Sequence, residues 1–340
     1  MFEVIVSDPS QVAEARRRTT AAAAKAGFGE VTSGQAALVS MELSSNLLKH
    51  GQGGRLLVNP GNGSLDLLAL DNGPGMDDVE ACMADGYSTS GTRGQGLGAV
   101  RRLAQSVEVA SWRGGGTAVW ARLVTADAHN PDALAIDIHR PPVLRDAGAW
   151  AVNLPKPGED VCGDGWDWFE DDHGRTLFVV DGLGHGSEAA LAANAALNAF
   201  RRYREASPTE IVEAVHQGIR HTRGGAVAAA RIDWAGATVS FAGLGNIAGA
   251  LVLPSGQTRR MVSMNGTAGH NARKVQSFEY PCPPNALLVM HSDGIGTGWS
   301  GERYAPVLWK HPMLLAGMLY RDFSRGRDDA TVVVTGTGRP

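Results

Sequence analysis

The sequence predicts a two-domain α+β protein, with helices beside a mainly antiparallel sheet in the front half and an αββα sandwich behind it. Three observations predict this. The chain has 340 residues, more than one typical domain needs. Apolar residues recur at helical spacing in a few long stretches, whereas many short apolar runs are bounded by turn residues. A polar, aperiodic stretch, TADAHNPDA at 125–133, separates the two patterns. We therefore place the domains at 1–124 and 134–340, with 125–133 as linker.

In order, 9–26 reads as a helix after a Ser/Asp/Pro start. A second helix is expected over 34–50, with Leu38, Met41, Leu47 and Leu48 at helical spacing. RLLV and SLDLLALD read as strands, a Gly-rich loop follows, then a helix over 96–105 and the strands VEVAS and TAVWARLV. Beyond the linker the runs ALAIDIHR, AWAVNL, TLFVVD, VAAARIDW, TVSFAGLG, AGALVLP, ALLVMHSDG and ATVVVTG read as strands, interrupted by apolar helices at 187–204 and 208–222. Many strands with few long helices suggest sheets inside and helices outside.

Bulk properties narrow the function. Hydrophobic residues make up 43% of the chain, enough for packed cores, and its 44 glycines point to many tight loops. The net charge of −4, without a basic block, argues against a dedicated nucleic-acid binder, because phosphate contacts need clustered Lys and Arg. Cys82, Cys162 and Cys282 match no zinc spacing, and an odd count suggests a reducing compartment. The start, MFEVIVSDPS, lacks the basic and apolar regions of a signal peptide, and no apolar run reaches spanning length. A cytoplasmic protein, with neither nucleic acid nor membrane as partner, is expected.

Four segments of the back half share one chemistry. Asp164 lies in CGDGW, Asp181 in VVDGLGHG, Asp293 in VMHSDGIG, and Asp328 with Asp329 in GRDDATVVV. Each lies where an apolar strand meets a turn. One Asp-Gly pair alone is a common turn, but carboxylates at the same end of neighbouring strands can converge, since strands lie about 5 Å apart. Oxygen-only ligands select magnesium, manganese or calcium, and two such ions about 4 Å apart can activate water and clamp a phosphoryl group.

PGEDVCGD, VVDGLGHG, HSDGIG and GRDDATVVV together resemble the four metal motifs of metal-dependent Ser/Thr protein phosphatases of the PPM class, most of all its SpoIIE-like branch and small RsbX-type members. The resemblance covers roughly 134–337. It implies that Asp164, Asp181, Asp293 and Asp328 ligate two Mg2+ or Mn2+ ions, with the carbonyl of Gly182 completing one site. Asp181 and Asp293 are then the expected catalytic carboxylates. Asp329, adjacent to Asp328, could exchange roles with it. His185 sits in a glycine-flanked turn, where a structural role is commoner than general acid work. Leu183 stands where eukaryotic members have a His. Lys156 and Arg145 are candidates for holding phosphate.

In the front half, MELSSNLLKH puts Glu42 and Asn46 four apart, hence on one helix face. A carboxylate and an amide there could activate a hydroxyl and bind magnesium; an exposed polar face is the ordinary alternative. LALDNGPGMDD brings Asp71 on an apolar strand to Gly73 and Gly75. DGYSTSGTRGQGLGAVRRL places Gly94, Gly96 and Gly98 before a helix, where backbone N–H groups can approach phosphate. Thr117 in GGGTAVW closes the unit. This GxGxG is no dinucleotide-binding fingerprint, since no βαβ unit precedes it.

The ordered set ExxxN, DxGxG, GxGLG and GT resembles the GHKL (Bergerat) ATP-binding fold, an α/β sandwich, and specifically the RsbT-type switch kinases that act on anti-sigma systems. The resemblance covers about 1–124. It implies Glu42 as general base, Asn46 as ligand to the Mg2+ of ATP, and Asp71 against the adenine amino group. Gly73, Gly75, Gly94, Gly96 and Gly98 would line the lid, Thr117 would support the adenine, and Lys49 would contact phosphate. No phospho-acceptor His with a following acid is present, so the expected acceptor is a Ser or Thr on a STAS-domain anti-sigma antagonist or stressosome-type protein. A sigma factor or downstream output protein is a further expected partner.

The expected function is thus a bifunctional partner-switching enzyme. It would phosphorylate a STAS-type regulator with ATP and dephosphorylate phosphoserine or phosphothreonine protein with divalent metal. Two alternatives compete: a phosphatase gated by a nucleotide sensor that transfers nothing, and a binding module that sequesters a sigma factor or STAS protein.

Overall fold

The computed structural model describes residues 1–83, 96–125, 148–272 and 274–339. The chain divides into two compact units, Met1–His139 and Arg140–Pro340. Gly94, Arg145, the strand expected at 133–140 and all but the first residue of the expected linker lie outside the described residues.

The front unit contains strands β1 (Phe2–Val6), β2 (Gly54–Pro60), β3 (Ser64–Asp71), β4 (Ser106–Trp112) and β5 (Gly116–Val124). Its helices are α1 (Pro9–Lys25), α2 (Glu30–Lys49), α3 (Val79–Met83) and α4 (Gly96–Leu103). The five strands form one antiparallel sheet in the order β1-β2-β3-β5-β4. α1 starts where the sequence says it should. Asp8 accepts from Ser10 N at 2.8 Å, the Gln11 side chain reaches back to Asp8 N at 3.0 Å, and Pro9 supplies a preset φ. The inward faces of α1 and α2 pack Ala15, Ala23, Val39, Leu43 and Leu47 against Val6, Leu56, Val58, Leu67 and Val119 of the sheet. That packing fixes the face of α2 from which Glu42 and Asn46 can project.

The back unit contains β6 (Ala149–Leu154), β7 (Asp164–Asp171), β8 (Gly174–Gly182), β9 (Gly225–Asp233), β10 (Thr238–Leu244), β11 (Ala248–Val252), β12 (Thr258–Arg260), β13 (Gly266–Thr267), β14 (Asn271–Ala272), β15 (Ser277–Pro281), β16 (Leu287–His291) and β17 (Ala330–Gly336). Its α-helices are α5 (Ser187–Tyr203), α6 (Pro208–Gly218) and α7 (Pro312–Phe323). Two five-stranded antiparallel sheets run β15-β10-β9-β8-β7 and β12-β11-β16-β17-β6. α5 and α6 cover the first sheet, and α7 covers β6 and β17 of the second. This is the expected αββα sandwich. β8 shows why it forms. Leu177 and Val179 face the opposite sheet with Leu251, Leu288, Met290 and Val333, while Phe178 and Val180 face Phe200, Ile211 and Val215 of the helices. A strand buried on both faces must be apolar where it crosses the core, and residues 177–180 are.

Several elements lie outside the sequence expectation, α3 and the short strands β12, β13 and β14 among them. β1, β7 and β15 are absent from it, and so is α7, whose run PMLLAGMLY is buried all round and therefore shows no amphipathic period. Helix boundaries also move: α2 begins at Glu30 rather than 34, α4 ends at Leu103 rather than 105, α6 ends at Gly218 rather than 222, and α1, α2 and α5 each end one residue early. Among the described residues no helix is long and apolar enough to cross a membrane.

Candidate active sites

In the back unit the antiparallel register sets Asp164 at the start of β7 directly opposite Asp181 near the end of β8. Asp293 follows β16, and Asp328 and Asp329 immediately precede β17. Those two strands are neighbours in the facing sheet. The carboxylates therefore come from both sheets at one end of the sandwich. Asn153 of β6 links the sheets there, donating to Thr331 Oγ1 at 2.8 Å and to the carbonyl of Asp164 at 3.4 Å.

The electrostatics show that these groups share one space. Asp181 is pushed up to about 9, first by burial and then by the charges of Asp164, Asp293, Asp328 and Asp329. Burial likewise raises Asp164 to about 7 against the hydrogen bonds of Ser292 and Thr331, with Asp329 and Asp328 adding to the rise. Asp293 is raised by burial and by Asp328. Asp164 Oδ2 is buried with no hydrogen-bond partner. Such an orphaned acceptor among like charges fits a site that takes cations. Among the described residues, no three His, Cys, Asp or Glu side chains close into a ligand set by themselves. Uncompensated carboxylates repel and gain nothing by closer approach.

The two adjacent aspartates differ. Asp329 is buried, and its two oxygens accept from Lys156 N at 2.8 Å and Gly163 N at 3.0 Å. Among the described residues, Asp328 Oδ1 accepts its neighbour's N–H, from Asp329 at 3.0 Å. Gly182 is closely surrounded; a Cβ there would come 2.2 Å from Ala189 O. Beyond it, exposed His185 shares its Nδ1 with Glu159 Oε1 at 2.7 Å. Lys156 is engaged through its backbone. Two neighbours were not anticipated from sequence. Asn246 Nδ2 donates to Asp293 Oδ2 at 2.7 Å, and Glu159 holds His185. The Asn in GLGNI and the acid in PGED are the only signals that could have pointed to them.

In the front unit, Asp71 is buried at the end of β3, opposite Thr117 in the register. Its Oδ1 accepts from Gly73 N at 2.8 Å and Thr117 N at 3.0 Å. Thr117 Oγ1 lies 3.0 Å from Ser111 Oγ. Glycine is required twice beside it. A Cβ on Gly73 would meet His50 O at 2.8 Å, and one on Gly75, at φ +78°, would meet Trp112 O at 2.1 Å. Glu42 and Asn46 are half-buried on α2, and Lys49, one turn on, is exposed. Gly96 opens α4 directly over the pair, since a Cβ there would stand 3.4 Å from Asn46 Oδ1 and 3.7 Å from Glu42 Oε2. Gly98 is buried in α4. Glu42, Asn46 and Gly96 are thus brought together, while Asp71, Gly73 and Thr117 form a second group linked by hydrogen bonds.

Comparison with known proteins separates the same two halves. Residues 5–123 match the family described as Histidine kinase-like ATPase domain, and residues 171–337 match Stage II sporulation protein E (SpoIIE). The chain is 32% identical over 114 residues to the serine/threonine-protein kinase RsbT of Bacillus subtilis (strain 168), covering 32% of this chain and 86% of RsbT. It is 25% identical over 142 residues to the phosphoserine phosphatase RsbX of the same organism, covering 42% of this chain and 71% of RsbX. A solved structure described as "The bacterial stressosome: a modular system that has been adapted to control secondary messenger signaling" matches with a TM-score of 0.51 and 26% identity, over 55% of this chain and 97% of that one.

Proposed function

The chain belongs through its front half to the histidine kinase-like ATPase family of the RsbT kind and carries a SpoIIE-type PPM phosphatase domain behind it, and on that premise we propose that it sets the phosphorylation state of a STAS-type partner in both directions. The observation that carries this reading is the presence of two separately built sites in one chain. Neither half shares a residue with the other's site. RsbX is a phosphoserine phosphatase and RsbT a serine/threonine kinase by description; the corresponding activities here are our assignment.

In the back half, Asp164, Asp181, Asp293 and Asp328 with the Gly182 carbonyl are the residues that would hold two divalent ions, Mg2+ or Mn2+. When bound, such ions supply a nucleophile at neutral pH and neutralise the phosphoryl oxygens. Everything else is done by the chain. Asp164 and Asp181 are held on paired strands, and Asp293 and Asp328 in the turns at the adjoining ends of β16 and β17. Asp329 uses both oxygens on the backbone at 156 and 163, so it positions the segment that delivers Asp164 and leaves ion binding to Asp328. Asn246 orients Asp293. With Nδ1 engaged by Glu159, His185 steadies the loop after Gly182.

In the front half, Asp71 would take the adenine amino group with Thr117 beside it, their backbone link fixing the carboxylate plane. Asn46 would hold the Mg2+ of ATP, and Gly96 leaves the space above Glu42 and Asn46 open for phosphate. Gly73 and Gly75 let the backbone pass close by, and Gly94, Gly98 and Lys49 are assigned to the lid and phosphates by the resemblance. Glu42 would orient and deprotonate the acceptor hydroxyl. Transfer of this kind is mostly positioning and electrostatics. A phosphate of about −1.5 to −2 charge on a partner's interface is sufficient to eject a bound protein.

The test is separability. With a STAS-domain partner and ATP, Glu42→Ala should retain nucleotide binding and lose phosphotransfer, and Asp181→Asn should lose dephosphorylation while ATP binding and transfer persist. ATP-dependent dephosphorylation without any transfer would instead favour a nucleotide-gated phosphatase. Capture of the partner that survives loss of all four aspartates would favour a sequestering module.

A further inference from the structure

The row of side chains that holds Asp71 and Thr117 has a third member, which none of the roles above uses. Thr117 of β5 stands opposite Asp71 of β3 on one side and opposite Ser111 of β4 on the other. Residues directly opposite in a sheet share a face, so the three side chains lie next to one another across adjoining strands. Ser111 is also tied to the loop that follows Asp71, because its Oγ accepts from Met76 N at 2.8 Å. Beside it, Gly114 N donates to Pro74 O at 2.9 Å, and Arg113 closes a two-pronged ion pair on Asp77 at 3.2 and 3.0 Å. The β4–β5 turn is thereby fastened to residues 74–77.

The hydroxyl protons of this row have one arrangement. A serine hydroxyl has one proton to donate and two lone pairs to accept with. Ser111 Oγ lies 3.0 Å from the carbonyl oxygen of Gly116, which can only accept, so the Ser111 proton goes there. The 3.0 Å contact between Ser111 Oγ and Thr117 Oγ1 is then made by the proton of Thr117. With Met76 N–H and Thr117 O–H as its donors, Ser111 has used its whole capacity. Thr117 Oγ1 is left with lone pairs and no proton to offer. Asp71, whose Oδ1 already takes the N–H groups of Gly73 and Thr117, is an acceptor as a carboxylate. The pair that meets the base thus presents acceptors and no hydroxyl donor.

Such an edge suits a purine with an amino group at position 6, which brings N–H donors to it. A purine with an oxo group there sets an oxygen against oxygens, and unpaired polar groups in a binding site discriminate strongly. We propose that Ser111 is a positioning residue that sets the base specificity of the front-half site: by holding the proton of Thr117 it makes the site select a 6-aminopurine nucleotide over its 6-oxo counterpart. This rests on the ATP-site reading above, in which Asp71 and Thr117 meet the base. Ser111 acts through Thr117.

The experiment measures binding of ATP and of ITP, which carry an amino and an oxo group at purine position 6, to the full chain with Mg2+ by calorimetry. The wild type should prefer ATP. Ser111→Ala releases the Thr117 proton to point at the base, so ATP should bind more weakly while ITP holds or gains, and the ATP-to-ITP affinity ratio should fall about tenfold. Ser111→Thr keeps the hydroxyl on a strand, where β-branched residues sit well, and should keep the wild-type ratio. In a Thr117→Val background, which has no hydroxyl to orient, Ser111→Ala should no longer change the ratio. A wild-type ratio in Ser111→Ala, equal weakening of both nucleotides, or a wild type that binds ATP and ITP alike would overturn the proposal and leave a nucleotide site in place. A wild-type chain that binds neither nucleotide would remove the ATP-site reading and the proposal with it.

Discussion

Replacing Asp329 by Ala separates two neighbouring aspartates that sequence alone leaves interchangeable. Asp329 is buried, and its carboxylate receives the N–H groups of Lys156 and Gly163 at 2.8 and 3.0 Å. Hydrogen bonds to a charged acceptor contribute about 1.5–3 kcal/mol each, and a buried donor left unpaired loses its desolvation cost as well. The two bonds share one acceptor and are not additive, so the expected loss for Asp329→Ala is about 3 kcal/mol. A Cβ on Gly163 would lie only 2.7 Å from Asp329 Oδ2, so the segment is packed on this group and does not simply refold around its loss. Asp328→Ala removes only an acceptor for its neighbour's N–H and should shift stability by under about 1 kcal/mol. The assay is urea unfolding of the full chain in chelator, which removes metal effects, with amide exchange followed at residues 156 and 163. Loss of protection at those two amides in Asp329→Ala, and its retention in Asp328→Ala, is expected. Equal stability of the two variants, or unchanged exchange at 156 and 163, would refute the assignment of Asp329 to structure.

Three further outcomes follow from the same structure. Gly96→Val should place a branched side chain over Glu42 and Asn46, about 3.4 Å from the amide, and lower ATP affinity by at least about tenfold without unfolding the domain; unaltered nucleotide binding by fluorescence titration would contradict it. Metal binding should release protons and strengthen as pH rises, because Asp164 and Asp181 sit at about 7 and about 9 in the metal-free fold and ligands must be deprotonated. The sign for stability is the reverse: raised carboxyl pKa values make the metal-free fold most stable below about pH 4 with respect to these groups, and that contribution is lost as pH rises through their folded values. Calorimetry in buffers of different ionisation enthalpy reads the release, and proton uptake would contradict the charge cluster. Phe200→Ala removes a fully buried ring stacked on Phe178 at 5.0 Å and should destabilise the back unit by about 3–5 kcal/mol, measured by thermal unfolding; a change under about 1 kcal/mol would mean the helix layer is not packed on β8 as described.

The parts of the fold that sequence made legible are those with a period or a punctuation mark. Asp8-Pro9 and Ser207-Pro208 announce the starts of α1 and α6 through caps that the structure forms. The metal-motif aspartates stand out because Asp181, Asp293 and Asp328 lie at or just beyond the ends of apolar strands, with Asp164 in a matching Asp-Gly turn sequence. Elements without either signal were missed. α7 is apolar on all sides, so no stripe marks it. β7 reads DGWDWFED, whose Asp167 and Glu170 make ion pairs with Arg201 and Arg175 that only the folded arrangement creates. The site was legible as a list of carboxylates and glycines, not as a division of labour. Asp328 and Asp329 are distinguished by burial and by which backbone amides reach them, and Asn246 acquires meaning from Asp293, which lies across from it in space.

The measurement that tests the account most directly is anomalous diffraction from crystals of the full chain soaked in Mn2+. The account predicts two manganese peaks about 4 Å apart at the facing ends of β8 and β17, bounded by Asp164, Asp181, Asp293 and Asp328 and by the Gly182 carbonyl. Peaks elsewhere on the surface, or none between those carboxylates at saturating Mn2+, would contradict it.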